Sequence, residues 1–307
     1  MLSVDDFIGK SGNRAKVVGA FRGTADIDLT TKLTVCIPDV HLLERGINDK
    51  FFGGQPENVD RFLDFLDFMD KLRESCGDDL DIIQIGDLYD LWKAKGNSNL
   101  IDEAYTDILG LIDKVRTTYL VGNHDFEMAR SYKSKGETFR RIESYCSSVD
   151  GKPRAVYQHG WQADIFNNQE RWTGGIGKNV TKIVGLAEYL YPDIDVVLGR
   201  DWESVTGFFE RYSAIWSPSQ NPDGFSADEY LRYYIDLMEK RNSDGTADHP
   251  EPLDLVLAVV GHTHHARLVP VPRNGRTYYL LDCGSWVDGG HEIGVISGRD
   301  MAVCEWD

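Results

Sequence analysis

Thr118-Tyr119-Leu120-Val121-Gly122-Asn123-His124-Asp125 opens as a short apolar run of strand character and stops in residues able to hold a metal. Four more stretches repeat the pattern. Leu33-Thr34-Val35-Cys36-Ile37 precedes Asp39 and His41, and Asp81-Ile82-Ile83-Gln84-Ile85 precedes Gly86-Asp87. Ala155-Val156-Tyr157-Gln158 precedes His159-Gly160, and residues 253–260 precede Gly261-His262-Thr263-His264. Short buried strands that deliver polar residues from their carboxyl ends build a site at one edge of a sheet. Between the runs, Val59, Phe62, Leu63, Leu66 and Met69 mark a helix over residues 57–76, and Ala104, Ile108, Leu111, Ile112 and Val115 mark another over 103–115. Strand, helix, strand, helix, strand is the order of a layered α/β fold.

Residues two apart on an extended segment point to the same side, so Asp39 and His41 can share one ion, as can His262 and His264. The candidate ligands are Asp39, His41, Asp87, Asn123, His159, His262 and His264, oxygen and imidazole donors without a thiolate. Seven side chains exceed what one ion takes from a protein and suit two divalent ions roughly 3.5–4 Å apart, each with a position open to water or substrate. Asp87, the lone candidate in its motif, is the expected bridge. Mixed oxygen and nitrogen donors accept Mn, Fe or Zn, with Mn²⁺ preferred. Six of the eight histidines lie in or beside these motifs, leaving His249 and His291 elsewhere.

Asp39-x-His41, Gly86-Asp87-x-x-Asp90, Gly122-Asn123-His124-Asp125, His159 and Gly261-His262-x-His264 resemble, in this order, the motifs of the calcineurin-like metallophosphoesterase superfamily, over residues 33 to about 286. With Gly86 to Trp92, His159-Gly160, Gly261 to His265 and Gly284-Ser285-Trp286, they further resemble the branch that contains UDP-2,3-diacylglucosamine diphosphatases. The resemblance implies a four-layer α/β/β/α sandwich with two metal ions at the carboxyl edge of its sheets. His124 adjoins a candidate ligand yet is not needed as one, so it is the candidate proton donor to the leaving oxygen, and the resemblance implies the same role. Its orienting partner is Asp90, with Asp125 as competitor; Asp90 could equally cap the segment that follows it. The attacking group is expected to be a hydroxide generated on the metal ions.

A chain of 307 residues with 41% hydrophobic content can bury a large core as one elaborated domain. Residues 32–160 and 253–307 read as the catalytic core, and residues 1–31 as an extension or edge strand. Residues 161–252 read as a mainly helical insertion with helices near 180–191 and 226–241. Its aromatics, among them Trp161, Phe166, Trp172, Tyr189, Trp202 and Trp216, and its cations, such as Arg171, Lys178 and Arg200, fit a lid over a substrate. A helical outrigger packed on its own aromatics is the equal alternative. Gly174-Gly175-Ile176-Gly177-Lys178 is no phosphate loop, because Trp172 stands where the first glycine belongs.

The net charge of −17 disfavours duplex nucleic acid and anionic membranes as partners. Two divalent ions outweigh the carboxylates of Asp39 and Asp87, so the site itself stays attractive to phosphate. No run of 18 apolar residues occurs, Asp5 and Asp6 stand where a secretory leader needs basic residues, and the five cysteines are scattered. A cytoplasmic location with reduced thiols follows as the expectation. The expected activity is hydrolysis of a small phosphodiester, pyrophosphate or phosphomonoester, with a nucleotide-like substrate preferred because aromatics can stack a base. A nuclease or protein phosphatase of the same chemistry, or a non-catalytic scaffold on the same fold, are the alternatives. The oligomeric state is open.

Overall fold

The computed structural model describes residues 2–23, 28–46, 49–53, 56–91, 93–94, 96–125, 141–142, 144–163, 225–245, 251–287 and 289–307. The helix expected near 180–191 and the aromatics and cations from Phe166 to Trp216 lie outside these residues.

Two sheets form the centre. The larger contains β1 (Ala15–Phe21), β2 (Leu33–Ile37), β3 (Leu80–Gln84), β4 (Thr118–Leu120), β5 (Arg141–Ile142), β11 (Glu292–Ser297) and β12 (Asp300–Trp306), in the order β1-β12-β11-β2-β3-β4-β5. Strands β2 to β5 run parallel, and β11, β12 and β1 continue the sheet antiparallel. The smaller sheet contains β6 (Tyr145–Val149), β7 (Lys152–Tyr157), β8 (Leu257–Val260), β9 (Arg267–Arg273) and β10 (Arg276–Asp282), in the order β6-β7-β8-β10-β9. Its central three strands are parallel.

Alternation along each strand divides the apolar residues among three cores. From β2 and β3, Leu33, Val35, Ile37, Leu80 and Ile82 face an outer core with α1 (Val4–Lys10), α2 (Pro56–Cys76) and α4 (Thr106–Lys114). Their neighbours Cys36 and Ile83 face inward, where they meet Ala155, Tyr157, Leu257, Val259, Tyr279 and Leu281 of the second sheet. The opposite face of that sheet, with Val156, Ala258, Val260, Tyr278 and Leu280, packs on Tyr230, Tyr234, Ile235 and Met238 of α5 (Phe225–Asp244). The four layers α/β/β/α follow directly. No helix among the described residues is long and apolar enough to cross a membrane.

Several elements differ from their sequence reading. The helix expected over 103–115 is two, α3 (Ser98–Ala104) and α4, broken at Tyr105 with φ −129° and ψ 36°. Buried Tyr105 turns its hydroxyl to the carboxylate of buried Asp49, and that long-range bond holds it out of the helix. Strand β8 begins four residues later than the apolar run, because Asn242 of α5 bonds both the N–H (2.6 Å) and the carbonyl (2.9 Å) of Leu255. Phe51, in the loop that precedes α2, is buried against Phe62 and Tyr105. Residues 225–244, grouped by sequence with the insertion, form the fourth layer. Residues 15–21 form an edge strand, preceded by α1 with a capping box at Ser3.

Candidate metal centre

Five loops converge where the carboxyl ends of the two sheets meet. Those after β2, β3 and β4 come from the larger sheet, and those after β7 and β8 from the smaller. Backbone bonds tie them together. Val40 and His41 donate their N–H groups to the carbonyl of Asp87 at 3.1 and 2.8 Å, and Gly261 donates to the carbonyl of His159 at 2.9 Å.

Each buried aspartate is held by one oxygen and offers the other. Asp39 Oδ1 accepts the His262 N–H at 2.8 Å, while its Oδ2 lies 3.1 Å from His159 Nε2, 3.3 Å from His264 Nε2 and 3.6 Å from His41 Nε2. Asp87 Oδ1 accepts the His124 N–H at 2.8 Å, and its Oδ2 lies 3.3 Å from His159 Nε2 and 3.6 Å from His41 Nε2. Two groups of three donors form around these aspartates, Asp39–His41–His264 and Asp87–His159–His262, with donor atoms within 4.8 Å of one another in each, and His41, Asp90 and His124 make a third beside them. Asp87 reaches imidazoles of both groups, and so does Asp39. The geometry therefore offers a second carboxylate for bridging besides the one chosen from sequence.

Asn123 lies between Gly122 and His124, and its Oδ1 is buried with no hydrogen-bond partner among the described residues. A buried amide oxygen without a donor costs roughly 1–3 kcal/mol, which a cation at that point would relieve. This orphan oxygen and the clustered carboxylates and imidazoles fit hard or borderline divalent ions.

The backbone is bent to make this arrangement. His41, Asp87, His262 and His264 have φ of 53°, 47°, 70° and 57°, half of the eight non-glycine residues with positive φ among those described. Such conformations cost about 1–3 kcal/mol each and persist only where surrounding bonds over-determine them. Two motif glycines serve close approach instead. A Cβ on Gly122 would overlap Asp87 Oδ1 and the Asp87 backbone, and one on Gly261 would overlap Asp39 Oδ1. Both aspartates can thus reach their backbone donors only across a bare Cα.

Electrostatics follow from packing carboxylates against imidazoles in a buried space. Burial alone would raise Asp39 and Asp87, but the charge and hydrogen bonds of His159, with His41 for both and His264 for Asp39, hold both carboxyls below the usual range. The same pairing holds His159 well above its ordinary value against a burial penalty. His41 is raised by the same carboxylates, so without a metal His41 and His159 favour their protonated forms and ions binding there displace protons.

His124 Nδ1 lies 3.0 Å from Asp90 Oδ1, and its ring meets that of His41 edge to face at 4.5 Å. Burial works to raise Asp90, yet the bond and charge of His124, with His41 and Lys93, hold its carboxyl low. Asp90 Oδ1 also accepts the Lys93 N–H at 3.2 Å, so it caps as well as orients. The competitor Asp125 does other work. Fully buried, it accepts the N–H groups of Gly122 at 2.7 Å and Leu88 at 2.9 Å and the hydroxyl of Tyr119, clamping the second motif to the third.

Sequence reasoning missed Thr263 and Asp282. Both are fully buried, and the Thr263 hydroxyl donates to Asp282 Oδ2 at 2.6 Å beneath the last motif. The polar pair was legible as residues, but nothing in either segment announces their contact.

Among solved structures, the chain is similar to the 5'-nucleotidase precursor of Thermus thermophilus, with 9% identity over 89% of this chain and 54% of that one, TM-score 0.38. It is also similar to the phosphopantetheinyl hydrolase PptH of Mycobacterium tuberculosis, with 12% identity over 84% of this chain and 91% of that one, TM-score 0.30. The chain spans about half of the nucleotidase's length, and neither likeness bears on the chemistry. No curated protein matches it. The profile of the calcineurin-like phosphoesterases matches residues 33–266, a span that contains all five converging loops and every candidate ligand. By that match, this chain belongs to the calcineurin-like phosphoesterase family.

Proposed function

We propose that this protein is a hydrolase of small phosphodiesters, pyrophosphates or phosphomonoesters that works with two divalent ions, Mn²⁺ preferred over Fe or Zn. The observation that carries the reading is the pair of adjacent donor groups, Asp39–His41–His264 and Asp87–His159–His262, with a histidine–carboxylate pair beside them. Asn123 completes the ligand set with its unpartnered oxygen.

When bound, the ions supply Lewis acidity to the phosphoryl oxygens and to the attacking water. The chain's own residues do the rest. His262 and His124 fix Asp39 and Asp87 through backbone N–H groups, so neither carboxylate has to reorient during turnover. Asp90 holds His124 through Nδ1, which assigns the other ring nitrogen to the leaving oxygen. In this reading His124 gives a proton from that nitrogen to the departing alkoxide and regains one from water.

A nucleotide-like substrate remains the preferred class, and the motifs shared with UDP-2,3-diacylglucosamine diphosphatases support a place near that branch. The acidic chain, net −17, speaks against duplex nucleic acid. All five cysteines are free thiols, which accords with a cytoplasmic location. A lid role for the insertion read over residues 161–252 belongs to the same proposal, with a helical outrigger as the equal alternative. The test is hydrolysis of bis-p-nitrophenyl phosphate and p-nitrophenyl phosphate by metal-loaded protein, followed by a panel of nucleotide diesters and pyrophosphates. Metal-dependent turnover supports the reading; a fully loaded protein inert to the whole panel would refute it.

A further inference from the structure

Beside His264, a cavity of about 300 Å³ is lined by Ser285, Val287, Gly289, Gly290 and Glu292. Apart from His264 it shares no residue with the candidate ligands, and it is large enough for a single sugar-sized ring.

Among the described residues of its wall, the carboxylate is Glu292. Glu292 Oε2 accepts the Ser285 N–H at 3.1 Å, and Glu292 N–H in turn reaches the Ser285 carbonyl at 3.3 Å. Gly290 closes against the same group, where a Cβ would lie 2.9 Å from Glu292 Oε2 and 2.7 Å from the Ser285 carbonyl. Ser285 is itself bridged to Asp39, and Trp286 donates its N–H to the Asp39 carbonyl at 2.7 Å, so the wall is rigidly joined to the metal centre. Burial raises the Glu292 carboxyl above its ordinary value, with the Ser285 N–H and the charge of His265 among the influences that oppose the rise.

A fixed negative group here has one use and one exclusion. It repels phosphate, so it cannot face the group being hydrolysed and must face the remainder of the ester. An ammonium on that remainder would meet the repulsion of two divalent ions, whereas a neutral hydroxyl does not. Val287 also lines the cavity but is itself buried, so the surface presented to a ligand is mostly polar and suits hydroxyls. We propose that this cavity binds the leaving group of the substrate and that Glu292 selects a neutral, hydroxyl-bearing ring while rejecting a further phosphate. The proposal rests on the phosphoesterase reading above and narrows its substrate class.

The test uses metal-loaded protein and three ligands that are not hydrolysed. They are the phosphonate analogue of ribose 5-phosphate, the phosphonate analogue of cyclopentylmethyl phosphate, which matches the ring without hydroxyls, and imidodiphosphate. Dissociation constants are measured by calorimetry for wild type and for Glu292→Gln, which keeps an acceptor for the Ser285 N–H. A charged hydrogen bond is worth about tenfold in affinity. The expected result is a preference of about tenfold for the hydroxylated ring in wild type. In Glu292→Gln that preference should shrink to about threefold, the cyclopentyl analogue should bind as before, and imidodiphosphate should bind more tightly. A structural role for Glu292 would move all three affinities together, and that outcome overturns the proposal. Equal wild-type binding of both rings also overturns it while leaving the phosphoesterase reading standing. Failure of all three ligands to bind loaded protein would sink both.

Discussion

The Thr263 hydroxyl donates to Asp282 Oδ2 at 2.6 Å, joining the loop that carries His262 and His264 to the end of the neighbouring strand β10. Thr263 Oγ also accepts the His265 N–H at 3.1 Å, so one side chain bonds on both sides of the left-handed turn. Burial pushes the Asp282 carboxyl up to about 7, with Arg267 and Thr263 opposing the rise. Replacing Thr263 with Val should leave a buried carboxyl short of its donor, at roughly 1–3 kcal/mol. Metal titrations should show affinity reduced by about tenfold or more, and Thr263→Ser should restore it. Unchanged affinity in the valine variant would mean that the two histidines need no such support.

The acid assignment separates chemistry from metal binding. His124→Ala should lower turnover of a phosphodiester by about 10²–10⁴-fold, while elemental analysis finds the ions still bound. Asp90→Asn should produce a smaller loss, since it misorients the ring without removing it. Wild-type rates in His124→Ala would remove the residue from the mechanism.

Gly122 tests the geometry from another side. Gly122→Ala forces a methyl group onto the Asp87 carboxylate, which has no room to withdraw while its Oδ1 holds the His124 N–H. Overpacking of this kind costs about 1–3 kcal/mol, and here the displaced group is a candidate ligand. Metal content should fall below one ion per chain in a protein that still folds by circular dichroism; full occupancy would show that the loops can shift.

Asp49 gives the metal-free fold a pH dependence. Burial raises its carboxyl to about 6, against the bonds from Tyr105, Phe52 and Phe51. A carboxyl raised above its unfolded value stabilises the fold only while protonated. The Asp49 contribution to stability declines as pH rises from about 4 to about 6, by on the order of 3 kcal/mol, and the raised carboxyls of Asp282 and Asp125 carry the decline on to about 7. Thermal melts of metal-stripped protein should show that decline, and Asp49→Asn should make it shallower between about pH 4 and 6. A melting temperature that instead rises across this window in wild type alone would contradict the sign.

How much of this was legible in sequence depends on the range of the interactions involved. The strands and the gathering of the candidate ligands at their ends were readable because each motif is local: an apolar run, then donors two residues apart, as in Asp39 and His41. Strand β2 reads as continuously apolar because both its faces are buried, Val35 against the helices and Cys36 against the second sheet. The rest hangs on partners distant in the chain. Tyr105 breaks a helical pattern for the sake of Asp49, 56 residues away, and Thr263 finds Asp282 across two strands. Asp125 was visible as a candidate partner of His124, but only the folded loops give it to Gly122, Leu88 and Tyr119. The helix near 226–241 was readable from its spacing and is found as α5, but its packing as an outer layer depends on the sheet face beneath Tyr230 and Tyr234.

The most direct measurement is a titration of metal-stripped protein with Mn²⁺, counting bound ions while following hydrolysis of bis-p-nitrophenyl phosphate. Activity should rise with occupancy and saturate at two ions per chain, and Asp87→Ala should abolish both. Full activity in stripped protein, or saturation with no ion bound at these seven residues, would contradict the account.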